Sequence, residues 1–287
     1  MKKILVPTDF SEQAGYAAEV AASIARKTGA ALHLFHIIDI PNYSDNPSFP
    51  VVPESGLLAK QAKERMEDAA GAPYFKGLNL TESIEFDSTY QRIIEKVKED
   101  EIDLIVIGSH GTSGIERFLI GSTTEKVIQF SPCPVLTIRE RIENFDIKSM
   151  VFASNFFEEV PEGFNKVQQF ADIYNANIHL LKVNTRQHFT TTRYNLHAID
   201  GFIKECKIQK YTINIYDDGG EEDGILHFAE DIGADMIALT THGRTGLSHL
   251  INGSIAETLA EQSPRPLLTF KTKHAHLKYG FTGAQNR

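Results

Sequence analysis

A glycine-rich turn follows a short apolar run and has the composition of an anion-binding loop. The stretch GSHGTSGIERFLIGS, residues 108–122, comes directly after Leu104–Ile107. Glycine is favoured where a backbone turns sharply or approaches another group closely. At the end of the stretch, Gly121-Ser122-Thr123-Thr124 precedes EKVIQF, so hydroxyls and backbone amides stand at the predicted start of a helix. Several amides acting together at a helix N-terminus predict a polyphosphate site.

Polar residues also end the first predicted strand, at the same predicted sheet edge. Pro7-Thr8-Asp9 follows the apolar run Ile4–Val6. The Asp9 carboxylate either accepts hydrogen bonds from a ribose or base, or caps the following helix. His110 either contacts a phosphate or ribose, or stabilises its turn. Because ligands of open parallel sheets bind beyond the carboxyl ends of the strands, these residues and the glycines predict one site.

The elements that position these residues are short apolar runs alternating with amphipathic stretches. This alternation predicts an α/β fold in which a parallel sheet is covered by helices on both faces. Ser11 is the predicted N-cap of the first helix, and Gly29 is its predicted end. Strands are predicted at 4–6, 32–38, 83–86, 104–107 and 135–138, with further helices around 93–97 and 125–130.

The order of motifs occurs twice along the chain. KKILVPTD (2–9) matches KSMVFASN (148–155), and ALHLFHIID (31–39) matches NIHLLKVNT (177–185), both at an offset of 146 residues. DLIVIGSHG (103–111) matches DMIALTTHG (235–243), and SPCPVLTI (131–138) matches SPRPLLTF (263–270), both at an offset of 132. The difference of 14 residues, 146 minus 132, locates an insertion in the first copy. Proline-rich PNYSDNPSFPVVPES (41–55) is its predicted place, as a lid or as a surface loop.

Length and composition indicate two globular domains. The 287 residues are 41% hydrophobic and carry a formal charge of −9, which disfavours nucleic acid as a partner. The sequence shows neither a signal peptide nor an apolar run of about 18 residues, so we expect a cytoplasmic chain without a membrane partner. Cys133 and Cys206 lack metal-site spacing. The predicted domains are 1–142 and 147–273, followed by a tail at 274–287.

The chain resembles the universal stress protein family, as two UspA-type domains in tandem. The resemblance is carried by Gly108-x2-Gly111-x9-Gly121-Ser122 together with ILVPTDFS, and it extends over almost all of residues 1–273. It implies a five-stranded parallel sheet of order 3-2-1-4-5 in each domain. Because single-domain members dimerise through the fifth strand, it also implies that the two domains pair internally through their fifth strands. A homodimer of the whole chain stays open.

The resemblance further implies an ATP site in the first domain. Pro7, Thr8 and Asp9 would lie around the adenosine, and Ile37 and Ile107 would frame the base. The phosphates and ribose would be lined by the loop and the helix start that follow: Gly108, His110, Gly111, Gly121, Ser122, Thr123 and Thr124. Whether Mg²⁺ accompanies the nucleotide stays open, because no carboxylate pair marks a metal site.

The second copy departs from this pattern where the ligand would bind. Thr240 replaces the first signature glycine, Asn155 replaces Asp9, and Ile255-Ala256 replaces the two threonines after the signature serine. If position 240 needed a left-handed backbone, a residue other than glycine would cost about 1–2 kcal/mol. We therefore predict weak or absent binding in a second domain that is mainly structural.

Three functions remain after these observations. A nucleotide-binding regulatory module of a stress response, read by an unidentified protein partner, is favoured. A slow ATPase or phosphotransferase is disfavoured because the loop has no lysine and no base with a spacing argument behind it. A scaffold that binds nothing is the third. The sequence contains neither G-x4-G-K-[ST] nor a G-x-G-x-x-G after the first strand.

Overall fold

The computed structural model describes residues 1–39, 55–87, 89–110, 120–156, 161–242 and 254–272. We call β1–β5 with their helices the first half, and β6–β10 with theirs the second half. The first half contains β1 Lys3–Pro7, α1 Glu12–Thr28, β2 Ala31–Ile38, α2 Ser55–Ala70, β3 Leu80–Phe86, α3 Thr89–Glu99, β4 Leu104–Gly108, α4 Ser122–Phe130 and β5 Val135–Ile138. The second half contains β6 Ser149–Ala153, α5 Pro161–Tyr174, β7 Asn177–Asn184, α6 Thr192–Cys206, β8 Tyr211–Asp217, α7 Glu221–Asp231, β9 Met236–His242, α8 Ser254–Gln262 and β10 Leu267–Thr272.

Within these ranges the strands form a single sheet in the order β3-β2-β1-β4-β5-β10-β9-β6-β7-β8. Each half has the predicted order 3-2-1-4-5, and its strand pairs are parallel. The halves join through β5 and β10, which are antiparallel with Leu136 opposite Leu268. The predicted α/β class and the predicted pairing of the fifth strands are therefore confirmed.

Both faces of the sheet are covered, which is why its central strands are almost wholly apolar. One core layer lies under α1, α2, α5 and α6, and the other lies under α3, α4, α7 and α8. Each layer contains residues of both halves, so the cores run through the β5–β10 joint without interruption. Among the described residues, no helix combines the length and apolar content needed to cross a membrane.

Helix α1 begins and ends at the predicted residues. The Ser11 hydroxyl accepts a hydrogen bond from the Ala14 amide, and Gly29 ends the helix in the left-handed region with φ 75°. The predicted insertion at 41–55 lies outside the described residues except for Ser55, which begins α2 rather than belonging to a loop.

Candidate functional site

The described part of the site is built where β1 and β4 end side by side. Ile4 pairs with Leu104 and Leu5 pairs with Ile105, so both strands leave the sheet at the same edge. The chain continues from β1 into α1 on one face, and α4 follows β4 on the opposite face. This reversal is the switch point at which open α/β sheets form a crevice. The structure therefore brings Pro7-Thr8-Asp9 and Gly108 together, as the sequence predicts.

The first turn of α4 is fixed against the end of β4 by two hydrogen bonds. The Gly121 amide donates to the Ser109 carbonyl at 2.8 Å, and the buried Thr124 hydroxyl donates to the Gly108 carbonyl at 2.8 Å. Because the Thr124 proton is used within the protein, the hydroxyls that this turn can offer to a ligand are those of Ser122, which is exposed, and Thr123. The first amides of a helix have no intrahelical acceptor, so this end of α4 suits an anion.

Gly108 is required by α1 rather than by a left-handed backbone. A Cβ atom on Gly108 would lie 2.8 Å from the carbonyl carbon of Gln13 and 3.0 Å from the amide nitrogen of Ala14. Gly108 is absent from the residues with positive φ, and so is Thr240. The left-handed conformation considered for position 240 is thus not found. No pattern in the sequence indicates that the α1 backbone approaches β4 this closely.

The turn after β1 has an internal hydrogen-bond framework that the second half repeats in part. Phe10 adopts φ 63°, and its amide donates to the Thr8 hydroxyl at 3.0 Å. The Asp9 carboxylate accepts from the Ser11 amide at 3.0 Å. Phe156 has φ 61°, and its amide donates to the Ser154 hydroxyl at 2.9 Å. Asp9 therefore fixes the turn before α1, while Ser11 is the N-cap, and contact between Asp9 and a ribose stays a prediction.

Ile37 and Ile107 lie on the sheet face that carries α3 and α4. Ile107 is buried and Ile37 is half-buried against the same apolar cluster. Their placement on one face is what framing a planar base requires. Gly111, the next residue implied in the site, lies outside the described residues.

His110 is oriented by its own turn and faces the second half. The Ser109 hydroxyl lies 2.7 Å from His110 Nδ1. His110 Nε2 is buried, and no hydrogen-bond partner for it is found within the described ranges. Burial lowers the pKa of His110, the Arg139 charge lowers it further, and Glu261 of α8 opposes both. A ligand contact by this residue stays a prediction.

The second half differs at the same places. β4 ends at Gly108, whereas β9 continues through Thr240 to His242. β-branched residues favour an extended strand, and glycine does not. Ala256 occupies the position of Thr124 and is buried, so the hydroxyl that fixes α4 has no equivalent on that residue of α8. Gly243 and Gly253 lie outside the described residues.

A model of the universal stress protein family matches residues 1–139 and 211–271. Because the match covers more than half of the 287 residues, the chain belongs to this family. Universal stress protein MJ0531 of Methanocaldococcus jannaschii is 32% identical over 143 residues, which is 48% of this chain and 82% of the relative. Universal stress protein MJ0577 of the same organism is 28% identical over 155 residues, 49% of this chain and 96% of the relative. Because each relative matches about half of this chain, these matches agree with two family domains in tandem.

A solved structure extends the likeness to the whole fold. The crystal structure of a universal stress protein from Archaeoglobus fulgidus superposes with a TM-score of 0.72 and covers 94% of this chain and 98% of that one. The two sequences are 19% identical, so this likeness concerns the fold alone.

Proposed function

We propose that the first half binds an adenine nucleotide, ATP, in the crevice beyond β1 and β4, and that this binding makes the chain a regulatory module of a stress response. The observation that carries the proposal is the attachment of the α4 N-terminus to the carboxyl end of β4. The Gly121–Ser109 and Thr124–Gly108 hydrogen bonds hold the first turn at the switch point, where its amides suit phosphates.

The other residues of the edge fit the remaining parts of a nucleotide. Ile37 and Ile107 provide apolar surface for a base on the same sheet face. The Asp9 carboxylate at the end of β1 is the group proposed to accept from the ribose hydroxyls. Ser122 and Thr123 add hydroxyls to the amides of the helix start. A single dipole interaction contributes only about 0.3–1 kcal/mol, so the proposal rests on these groups acting together.

The second half is proposed to be mainly structural. Three of its residues differ from their first-half counterparts at positions proposed for the ligand site. Thr240 extends β9, Ala256 lacks the Thr124 hydroxyl, and Asn155 lacks the Asp9 charge. The packing residues of the same strands are retained, because Met236, Ile237 and Ala238 are fully buried.

A slow ATPase or phosphotransferase is the alternative function. It would need a base positioned for the attacking water or hydroxyl. Nδ1 of the His110 imidazole contacts the Ser109 hydroxyl and its Nε2 is buried, which disfavours either nitrogen as that base. Phosphate release from ATP, measured with the purified chain, separates this alternative from binding alone.

The variant Gly121→Asp tests the site directly. Gly121 is the N-cap of α4 with φ −64° and ψ 135°, a conformation in which aspartate caps a helix well. The variant should therefore fold, while its carboxylate takes the amides proposed for the phosphates. We expect acid extraction of natively purified protein to release an adenine nucleotide, and calorimetric titration with ATP to show at least about a hundredfold weaker binding by the variant.

Gly253→Asp is the matched control, because position 253 corresponds to 121 in the second copy. It should leave the affinity unchanged. Wild-type protein that binds no adenine nucleotide, or Gly121→Asp that binds ATP as well as wild type does, would contradict the proposal and favour the non-binding scaffold.

A further inference from the structure

A second group of residues whose side chains could take part in catalysis lies at the outer edge of the first half, away from the crevice. His33 on β2 is hydrogen-bonded on both sides of its ring. Its Nδ1 lies 3.2 Å from Asp100 Oδ2, and its Nε2 lies 2.7 Å from Ser83 Oγ on β3. A carboxylate on Nδ1 and a hydroxyl on Nε2 is the arrangement of a serine nucleophile with its base and the group that orients the base.

The surroundings of His33 keep its ring in the form that a general base needs. Burial lowers the pKa of His33 below 6.5, and the Lys96 charge lowers it further, whereas Asp100 and Glu85 oppose both. The imidazole is therefore neutral at pH 7. With Nδ1–H donating to Asp100, the Nε2 lone pair accepts the Ser83 proton. Lys96 Nζ lies 3.6 Å from Asp100 Oδ2, so this carboxylate is paired on a second side.

Ser83 lies on a strand at the border of the sheet. Within the described part of the chain, β3 is at one end of the strand order. Leu32 donates to the Asn79 carbonyl, and Asp87 donates to the Ile38 carbonyl, so the odd-numbered residues of β3 face β2. The alternation of a parallel ladder then directs the Ile84 amide away from β2, towards the open edge. The amide of the residue after a nucleophile is a recurrent donor to a developing oxyanion.

The second half provides an internal comparison. His179 corresponds to His33 at the offset of 146 residues. Its Nδ1 contacts the Thr212 hydroxyl at 2.8 Å, and its Nε2 contacts the Asn177 amide at 3.1 Å. Ile232 occupies the position of Asp100 at the offset of 132. Within the described part of the second half, no carboxylate contacts His179, so the set of serine, histidine and carboxylate is found in the first half.

We propose that Ser83 is a nucleophile activated by His33 and positioned by Asp100, which takes small acyl groups from activated esters and transfers them to water. Ser83 Oγ attacks the ester carbonyl carbon while its proton moves to His33 Nε2. The bond to the leaving oxygen then breaks, and that oxygen takes the proton from His33. Water hydrolyses the acyl-serine by the same route, which restores Ser83 and releases the acid.

Labelling and turnover test this proposal with the full-length protein. A fluorophosphonate probe should add its mass to Ser83, read by peptide mapping, and 4-nitrophenyl acetate should be hydrolysed. Ser83→Ala and His33→Gln should each lower the rate at least about a hundredfold. Because the pKa of His33 lies below 6.5, the rate of wild type should rise with pH through an inflection below pH 6.5 and then level off. Asp100→Asn should lower kcat and move this inflection, which loss of a merely structural contact would not do.

Two controls separate this site from general effects. Thr81→Ala removes a hydroxyl on the same strand that donates to the Leu32 carbonyl, and His179→Gln removes the corresponding histidine; both should leave labelling and rate unchanged. ATP titrations of Ser83→Ala should match wild type, which distinguishes failure here from failure of the nucleotide site. Wild-type protein that is unlabelled at Ser83, or Thr81→Ala that loses as much activity as Ser83→Ala, would overturn the proposal.

Discussion

The Cβ position of Gly108 is already occupied by the backbone of another element. Gly108→Ala would place a methyl group 2.8 Å from Gln13 C and 3.0 Å from Ala14 N, and backbone atoms cannot move aside as a flexible side chain can. We expect α1 to shift, and a loss of about 1–3 kcal/mol in the free energy of unfolding. Urea unfolding of the variant measures this loss.

Gly15→Ala is the matched control on α1. Apart from its chain neighbours and the backbone of its own helix, no atom of the structure's described part lies within 4 Å of a Cβ at Gly15. The substitution should raise the free energy of unfolding by about 0.5–1 kcal/mol. Equal urea midpoints for Gly108→Ala and wild type would show that the approach of α1 does not constrain Gly108.

Single residues also mark where inference from the sequence ended. The turn predicted from the glycines at and after the end of β4 lies mostly outside the described residues, and Gly108 itself is explained by the distance between α1 and β4, which only the tertiary structure reveals. The left-handed Phe10 and Phe156 could not be predicted, because bulky residues rarely adopt this conformation. Asp9 had two open roles: the N-cap of α1 is Ser11 rather than Asp9, whose carboxylate instead accepts from the Ser11 amide, and the ribose contact stays a prediction.

The helix pairs on one sheet face are packed differently in the two halves. Between α1 and α2 lies a groove of about 400 Å³ lined by small residues such as Ala14, Ala18 and Ala69. The corresponding space between α5 and α6 is filled by aromatic rings. Phe164, at the position of Ala18, lies 4.9 Å from Phe202, measured between ring centroids.

Matched truncations should expose this difference. Phe202 is buried and its ring lies 5.4 Å from that of Phe156, whereas the exposed Arg65 lies with its guanidinium 4.9 Å from the Phe10 ring. Phe202→Ala should cost about 3–5 kcal/mol in the free energy of unfolding, and Arg65→Ala less than about 1 kcal/mol. Urea unfolding checks both, and similar losses would show that the first-half groove is packed as tightly as the second.

Some secondary-structure elements could be predicted from the sequence better than others. The strands were predicted because burial on both faces requires continuous apolar runs such as Leu104–Ile107. The span of α2 was not predicted, because it buries little: Leu57 and Leu58 are exposed, while Ala62 and Met66 supply its buried contacts. A helix that rests one narrow side on a sheet leaves a weak periodic signal.

The molecule is joined into one body by its shared cores and its connecting segment. Phe145 and Ile147, between β5 and β6, are buried, and the Phe145 ring packs edge-on against Tyr174 of α5. Glu19 of α1 forms an ion pair with Arg141 in the same segment. Because both core layers run from one half into the other, we expect the chain to unfold in one transition.

Two carboxylates at equivalent positions in the two halves repel each other and thereby weaken the contact between the halves. Glu257 lies in the first turn of α8, as Glu125 lies in the first turn of α4. Burial raises the pKa of Glu257 above 4.5, and the Glu125 charge raises it further, despite the helix N-terminus that favours a carboxylate. A carboxyl with a raised pKa in the folded state stabilises the protein below pH 4.5, and this contribution is lost as the pH rises through the folded pKa.

Glu257→Gln should remove the loss of stability that accompanies ionisation of Glu257. Its urea midpoint should exceed that of wild type at pH 7.5 and should lose this advantage at pH 4. Glu230→Gln, at an exposed carboxylate of α7, is the control for the substitution and should leave the urea midpoint at pH 7.5 unchanged. A Glu257→Gln midpoint at or below that of wild type at pH 7.5 would show that the two carboxylates do not repel each other.

The antiparallel joint of β5 and β10 gives the long sheet opposite polarity in its two halves. The carboxyl ends of β1–β5 therefore lie at one edge and those of β6–β10 at the other, so the two crevices of the duplication open in opposite directions. The C-terminal end of α8 lies beside the carboxyl end of β5, where Arg139 donates to the Gln262 carbonyl at 2.6 Å. A protein that bound at the first crevice would also contact the loops at the amino ends of the second-half strands beside it. The binding surface would therefore combine both halves, which no single domain of this kind can present.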